Sequence, residues 1–179
     1  MKTIEISTLK SERLILMPYT QAICENFLNN NFNDLDRLDL KRGKGWPDSD
    51  VLDTLPKIIN NLSRVEGPTG FESWIVIKKD TREVIGDIGF KGFDDKTKSC
   101  DIGYGIIEAE RRNGYAEEAA RTLIHWAFSN QSLSHITARC QPENRRSINL
   151  LARLNFEEDK RDAQMIHWML SRPLNNHEE

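Results

Sequence analysis

The residues whose types and spacing are best suited to chemistry lie in one stretch, residues 103–116. The stretch begins as a strand, continues as a short polar loop and opens a helix at Gly114. The first N–H groups of a helix have no acceptor within it, and the peptide dipoles concentrate positive charge at that end. A phosphate or diphosphate is therefore a natural ligand there, and Arg111 and Arg112 add positive charge. The alternative is an ordinary helix start with solvated arginines.

Two familiar phosphate-binding loops do not fit this stretch. No Lys-Ser or Lys-Thr pair follows its glycines, as a P-loop requires, and the spaced glycines of a dinucleotide fingerprint are missing. The stretch therefore indicates a different anion site, in which Gly114 and the small Ala116 let a ligand approach the backbone closely.

The elements that would position this stretch follow from the hydrophobic periodicity of the chain. Helical spacing predicts helices over residues 20–30, 51–64 and 116–130, and Asn144 is typical of the N-cap of another helix. Apolar runs predict strands over residues 14–17, 73–78, 84–90, 100–107, 135–140 and 165–170. The polar segment 29–49 is predicted to be a loop. We expect one mixed α+β domain over residues 1–179.

Composition argues against several classes of protein. The chain has 179 residues, a formal net charge of -3, and no apolar run near the roughly 18 residues of a membrane span. We expect no membrane attachment and no nucleic-acid binding, because four arginines (Arg111, Arg112, Arg145, Arg146) do not make a wide basic surface. Residues 1–5 do not resemble a secretory signal, and the three cysteines form no CxxC pair, which favours a cytoplasmic location. The histidines lack metal-ligand spacing, so no metal is expected.

The same loop carries a resemblance to a known family. Arg111-Arg112-Asn113-Gly114-Tyr115-Ala116 resembles the Gln/Arg-x-x-Gly-x-Gly/Ala motif of the GNAT N-acetyltransferase superfamily. Further segments are similar to the branch that contains ribosomal-protein N-terminal acetyltransferases: Ser11-Glu12-Arg13-Leu14, Ile85-Gly86-Asp87-Ile88-Gly89, Asp101-Ile102-Gly103-Tyr104, Pro142-Glu143-Asn144-Arg145-Arg146-Ser147 and Leu150-Leu151-Ala152-Arg153-Leu154-Asn155-Phe156. Asn155 replaces the usual glycine, but asparagine tolerates a left-handed backbone.

The resemblance implies a fold, a co-substrate and a set of site residues. The fold is a mixed, mainly antiparallel twisted sheet flanked by helices, with the co-substrate entering where two strands splay apart after Ile107. Acetyl-coenzyme A (acetyl-CoA) would lie with its diphosphate on residues 111–116. The N–H of Ile106, near a bulge that Gly105 permits, would bind the acetyl carbonyl. Asn144 would contact the pantetheine arm, and Ser147 would help protonate the departing thiolate. The alternatives are that the glycines only relieve packing and that Asn144 is only a cap.

The acceptor side of the site is less defined. An attacking amine must lose a proton, and Asp101 is the first candidate base, followed by Glu108 and Asp87; each could equally be a surface charge. Trp46, Phe90 and Tyr104 are the predicted walls of the acceptor pocket, with packing as the alternative for Trp46.

The resulting hypothesis is a cytoplasmic N-acetyltransferase that acts by direct amine attack in a ternary complex. The alternative is a non-catalytic acetyl-CoA-binding sensor or scaffold of the same fold. The resemblance implies either a ribosomal-protein N-terminus or a small-molecule amine as acceptor. It also implies a homodimer as one oligomeric state, and the sequence leaves that state open.

Overall fold

The computed structural model of the protein describes residues 7–173. The N-terminal residues on which the absence of a signal was predicted, and His177, lie outside the described residues. Within residues 7–173, no helix combines the length and the apolar composition that a membrane crossing requires.

The centre of the molecule is a mixed sheet in which most neighbouring strands are antiparallel. Its spatial order is β1-β2-β4-β5-β6-β7-β9-β8, and β3 pairs in parallel with the start of β5. The strands are β1 Leu9–Lys10, β2 Leu14–Pro18, β3 Lys41–Arg42, β4 Ser73–Lys78, β5 Glu83–Asp94, β6 Ser99–Ile106, β7 His135–Cys140, β8 Glu157–Arg161 and β9 Ile166–Ser171. This confirms the predicted α+β fold class and the meander of β4, β5 and β6.

Within residues 7–173, five α-helices flank the sheet: α1 Gln21–Leu28, α2 Asn33–Arg37, α3 Ser49–Leu62, α4 Tyr115–Ser129 and α5 Arg145–Arg153. Side-chain caps set three of the starts. Thr20 accepts a hydrogen bond from the N–H of Ile23, and Asp48 and Asn144 do the same for α3 and α5. At the end of α5, Asn155 has a φ of 65°, so the expected left-handed turn is present.

The sheet opens between β6 and β7, the parallel pair. Their ladder joins only Ser99–Asp101 to His135–Thr137, and beyond it the two strands have no paired residues. The C-terminal half of β6 is thus hydrogen-bonded on the β5 side alone. The predicted splayed edge is present, and it ends close to the loop that begins α4.

The segment 29–49 is not the loop that was predicted. It contains α2 and β3, and the Arg82 guanidinium donates hydrogen bonds to the carbonyls of Leu38 (3.0 Å) and Asp39 (3.2 Å). The prediction failed because the segment is held by a distant arginine and by the parallel pairing of β3 with β5, neither of which appears in local periodicity. The short strands β1 and β8 were not predicted either. β1 has only two residues, and β8 is exposed and charged along its whole length, so neither shows an apolar pattern.

Candidate active site

The loop before α4 is a concave arrangement of backbone amides. Arg112 and Gly114 both have left-handed backbones, with φ of 65° and 79°. In the part of the chain that the structure describes, no acceptor is found for the N–H groups of residues 112–117. Successive amides in such a turn, at the start of a helix of 15 residues, point into one anion-binding hollow. The residues present therefore fit a diphosphate, as the sequence predicted.

A distant arginine holds this loop in place. The Arg13 guanidinium forms an ion pair with Glu118 (Nε–Oε2 2.7 Å), donates to the carbonyl of Asn113 (2.9 Å) and lies 4.6 Å from the centre of the Tyr115 ring. Glu118 also accepts from the Ser11 hydroxyl at 2.6 Å. Burial raises the pKa of Glu118, but the hydrogen bonds from Ser11 and Arg13 outweigh it and the net pKa is lowered. The Ser11–Leu14 motif thus has a physical role that its sequence did not reveal.

The C-terminal half of β6, which does not pair with β7, has backbone N–H groups that face the gap between these two strands. The N–H of Ile107 donates to the carbonyl of Ile85 in β5 (2.9 Å), and successive amides of a strand point to opposite sides. The N–H groups of Ile106 and Tyr104 therefore point away from β5. The Arg111 side chain donates a hydrogen bond to the carbonyl of Ile106 at 2.9 Å, which connects the loop before α4 to this edge of β6.

The bulge expected at Gly105 is absent. Pairing of β5 with β6 is continuous from Gly86↔Ile106 to Phe90↔Ile102, and the register shifts only between Phe90 and Phe93. A bulge is not needed there, because the loss of β7 pairing already frees the N–H of Ile106. The N–H of Ile106 is therefore still free to bind an acetyl carbonyl, although no bulge is present.

A pocket of about 330 Å³ lies against this part of the sheet, between β5, β6 and α3. Its floor lacks side chains, since a Cβ atom added at Gly103 or Gly105 would have no heavy atom within 4 Å. Across the ladder, Asp87 is paired with Gly105 and Gly89 with Gly103, so these four residues share one face. The opposite wall comes from α3: Val51, Thr54, Lys57, Ile58 and Asn61.

Asp87 is the carboxylate that faces this pocket. It is only partly exposed, and no hydrogen bond to its side chain stabilises the ionised form. Burial, and secondarily the charge of Asp48, raises its pKa from 3.8 to about 7. Gly86 lets the neighbouring strands approach here, since a Cβ at that position would lie 2.1 Å from the carbonyl oxygen of Gly105. A carboxylate with this pKa is suited to accept a proton near neutrality.

Asp101, the first candidate base, is placed differently. One of its oxygens accepts from the Thr137 hydroxyl (2.9 Å), and the other is shared between Lys91 and Arg139. It does not line the pocket, whereas Asp87 does. Glu108 lies at a second, more open cavity near Asp48 and Arg111. The geometry reverses the predicted order and favours Asp87 over Asp101.

Ser147 and Asn144 lie at the start of α5, beside the gap between β6 and β7. The Asn144 Oδ1 atom accepts from the N–H of Ser147 at 3.1 Å, which confirms the predicted cap. Burial raises the pKa of the Tyr104 phenol, and its interaction with the Ser147 hydroxyl acts in the opposite direction. Tyr104 and Ser147 therefore form a pair of hydroxyls near the open edge of β6. The predicted contact of Asn144 with a pantetheine arm stays a prediction.

The predicted aromatic walls separate into two groups. Phe90 and Tyr104 are among the residues around the pocket, but they alternate along their strands with Gly89, Gly103 and Gly105, so their rings lie on the opposite face of the sheet. Trp46 is buried in the core, 5.2 Å from the Phe27 ring and 6.0 Å from the Phe32 ring, and it is not among the pocket residues. Packing, the alternative for Trp46, is what the structure shows. Asp48 and the residues of α3 were not identified from the sequence as pocket residues. The position of Asp48 just before a predicted helix could have identified it as a cap.

The cysteines are part of the protein interior. All three cysteines are free and buried, and burial raises the pKa of the Cys24 and Cys100 thiols to about 12. Within residues 7–173, no group of three or more His, Cys, Asp or Glu side chains is arranged to hold a metal ion.

Comparison with known proteins accords with this geometry. The family model described as the acetyltransferase (GNAT) domain matches residues 13–157. The chain is 40% identical over 124 residues to the uncharacterized N-acetyltransferase YjdG of Bacillus subtilis, covering 69% of this chain and 74% of that protein. It is 33% identical over 81 residues to the [ribosomal protein uS5]-alanine N-acetyltransferase of Escherichia coli, covering 45% of this chain and 42% of that protein.

Solved structures share the fold at low sequence identity. The microcin C7 self-immunity acetyltransferase MccE, solved with acetyl-CoA and AMP, superposes with a TM-score of 0.62 at 14% identity, over 90% of this chain and 93% of that one. The likeness at this identity concerns the fold alone. The family match, by contrast, spans well over half of the sequence, from Arg13 just before β2 to Glu157 at the start of β8. The chain therefore belongs to the GNAT acetyltransferase family.

Proposed function

We propose that this protein transfers the acetyl group of acetyl-CoA to a primary amine by direct attack within a ternary complex. The observation that carries the proposal is the meeting of three features around the C-terminal half of β6. They are the amide hollow at residues 112–117, the outward N–H groups of Tyr104 and Ile106, and the recessed carboxylate of Asp87.

Each feature has a separate part in the reaction. The hollow and the exposed Arg112 would hold the diphosphate of acetyl-CoA, which supplies the acetyl thioester. The N–H of Ile106 would stabilise charge on the carbonyl oxygen as the amine attacks. Asp87 would take a proton from the ammonium, since only the neutral amine is nucleophilic. The amine nitrogen then bonds to the acetyl carbon and loses its second proton as the carbon–sulfur bond breaks and the sulfur leaves as a thiolate.

The leaving thiolate needs a proton. The Ser147 hydroxyl, which interacts with Tyr104, is assigned to relay to the sulfur the proton that the attacking nitrogen loses. Asn144 is assigned to the pantetheine arm. The amine acceptor would lie on the glycine floor, beside α3. The relatives include a protein whose name specifies an alanine of ribosomal protein uS5, which supports a peptide amine as one acceptor and leaves a small amine as the other.

Release of free thiol from acetyl-CoA tests the proposal. The purified protein is assayed with peptides that begin with alanine or serine, and with polyamines, using a thiol-reactive chromophore and mass detection of the acetylated product. Calorimetric binding of acetyl-CoA is measured in parallel. Thiol release that depends on an amine supports the enzyme. Binding without release for any amine supports the sensor or scaffold, and no binding of acetyl-CoA contradicts both.

A further inference from the structure

The lining of the pocket contains Lys57, Lys91 and Arg111, and also carboxylates that form no ion pair within the described residues. Asp48, Asp50 and Asp87 all line it, and none forms an ion pair with a cation in residues 7–173. Acidic side chains alone do not make a site, because exposed carboxylates are well solvated. Asp87, however, is recessed in the sheet face, receives no hydrogen bond and is open to the pocket. The pocket has room for a cation beside this carboxylate.

Asp48 is held so that it faces this space. Its Oδ1 atom caps α3 by accepting from the N–H of Val51 (2.9 Å), which fixes the side chain at the mouth of the pocket. The charge of Asp48, the cap of α3, raises the pKa of Asp87, second in effect to burial, and Asp50 is not among the causes of the shift. Two like charges around one cavity are costly unless a cation or a proton lies between them.

We propose that the acceptor binds as an ammonium ion between Asp48 and Asp87, with Asp48 as the binding carboxylate and Asp87 as the proton acceptor. The inference rests on the proposed acetyl transfer and narrows its substrate to amines that arrive protonated. The ammonium donates one proton to Asp87 and stays hydrogen-bonded to Asp48, so that its lone pair is freed inside the pocket. The glycine floor lets an unbranched amine reach this position.

Other ionisable groups also face Asp87 and must be considered in any dependence on pH. They are Tyr19 after β2, Cys24 in α1, Asp50 and Lys57 in α3, Lys91 in β5 and Arg111 after β6. Burial raises the pKa of Tyr19 and of Cys24, so both stay neutral near pH 7. Lys91 is paired with Asp101, and Arg111 donates to the carbonyl of Ile106. Asp48 is thus the neighbour whose removal should change the titration of Asp87.

The test follows the Asp87 carboxylate directly, without acetyl-CoA. The protein is labelled with ¹³C at aspartate side chains, and the signal missing in Asp87→Asn is titrated by NMR. Asp48→Asn removes the charge but keeps the cap, since asparagine caps as well as aspartate. Asp50→Asn is the matched control on the same helix turn. We expect the midpoint of Asp87 to move to lower pH in Asp48→Asn and to stay unchanged in Asp50→Asn.

A small cation then probes the site itself. n-Butylammonium should lower the Asp87 midpoint in the unmodified protein and act more weakly in Asp48→Asn, while uncharged n-butanol should have no effect. In the acetylation assay, Asp48→Asn should raise KM for the amine more than it lowers kcat. An unmoved midpoint in Asp48→Asn, or equal effects of n-butylammonium and n-butanol, overturns the inference. Amine-dependent thiol release would leave the proposed function intact in that case.

Discussion

Replacement of Asp87 by asparagine should stabilise the protein while it abolishes the proposed chemistry. The carboxyl has a pKa of about 7 in the folded protein and an ordinary value of 3.8 when exposed, so ionisation opposes folding. At 1.36 kcal/mol for each pKa unit, the difference corresponds to a cost of up to about 4 kcal/mol above pH 7. Contact with solvent in the pocket makes this an upper bound.

The sign of the pH dependence follows from the two pKa values. Below pH 3.8 the carboxyl is protonated in the folded and unfolded chain, and its ionisation costs nothing. Between pH 3.8 and 7 the unfolded chain releases the proton first, so the free energy of unfolding of the unmodified protein falls relative to Asp87→Asn. Above pH 7 the full difference is reached, which at this chain length corresponds to a rise in Tm on the order of 10 °C.

Urea unfolding of both proteins at intervals from pH 4 to pH 8.5 measures this difference, and the acetylation assay measures kcat/KM, expected to fall about 100-fold or more. Asp101→Asn is the control: its exposed ion pairs should contribute no more than about 1 kcal/mol, with no gain in stability at high pH. A stability difference between Asp87→Asn and the unmodified protein that does not change with pH would refute the reasoning about burial. Retained activity with an unchanged pH profile would refute the assignment of the base.

Three further substitutions address the other parts of the site. Gly105→Val should raise KM for the acceptor about tenfold without changing the calorimetric affinity for acetyl-CoA, because it fills the open floor of the pocket; unchanged KM would contradict the placement of the acceptor. Arg13→Ala should weaken acetyl-CoA binding about tenfold through loss of its hydrogen bond to the Asn113 carbonyl, and full affinity would show that the loop needs no such support. Asn144→Ala should lower the free energy of unfolding by about 1 kcal/mol through loss of the α5 cap, whereas Asn144→Asp should be nearly neutral.

Much of the fold could be predicted because the residue patterns that specify it are local. β4 and β7 were located to the residue, and α4 to within one residue at each end, since apolar periodicity and turn residues mark these elements. The anion-binding start of α4 was also readable, because a glycine-containing loop before an amphipathic helix carries its own geometry. The segment 29–49 was misread because its α2 and β3 depend on Arg82 and on β5, far along the chain.

The sequence by itself determined the family, the fold class and the loop before α4 at which a diphosphate is predicted to bind. These features depend on residue type and spacing within short stretches. Only the tertiary structure distinguishes the candidate bases, because Asp87, Asp101 and Glu108 are chemically alike and differ only in what surrounds them. Packing of α3 against β5 desolvates Asp87 and brings Asp48 to it, while Thr137, Lys91 and Arg139 engage Asp101. Burial and long-range neighbours set a pKa, and neither is a property of the local sequence.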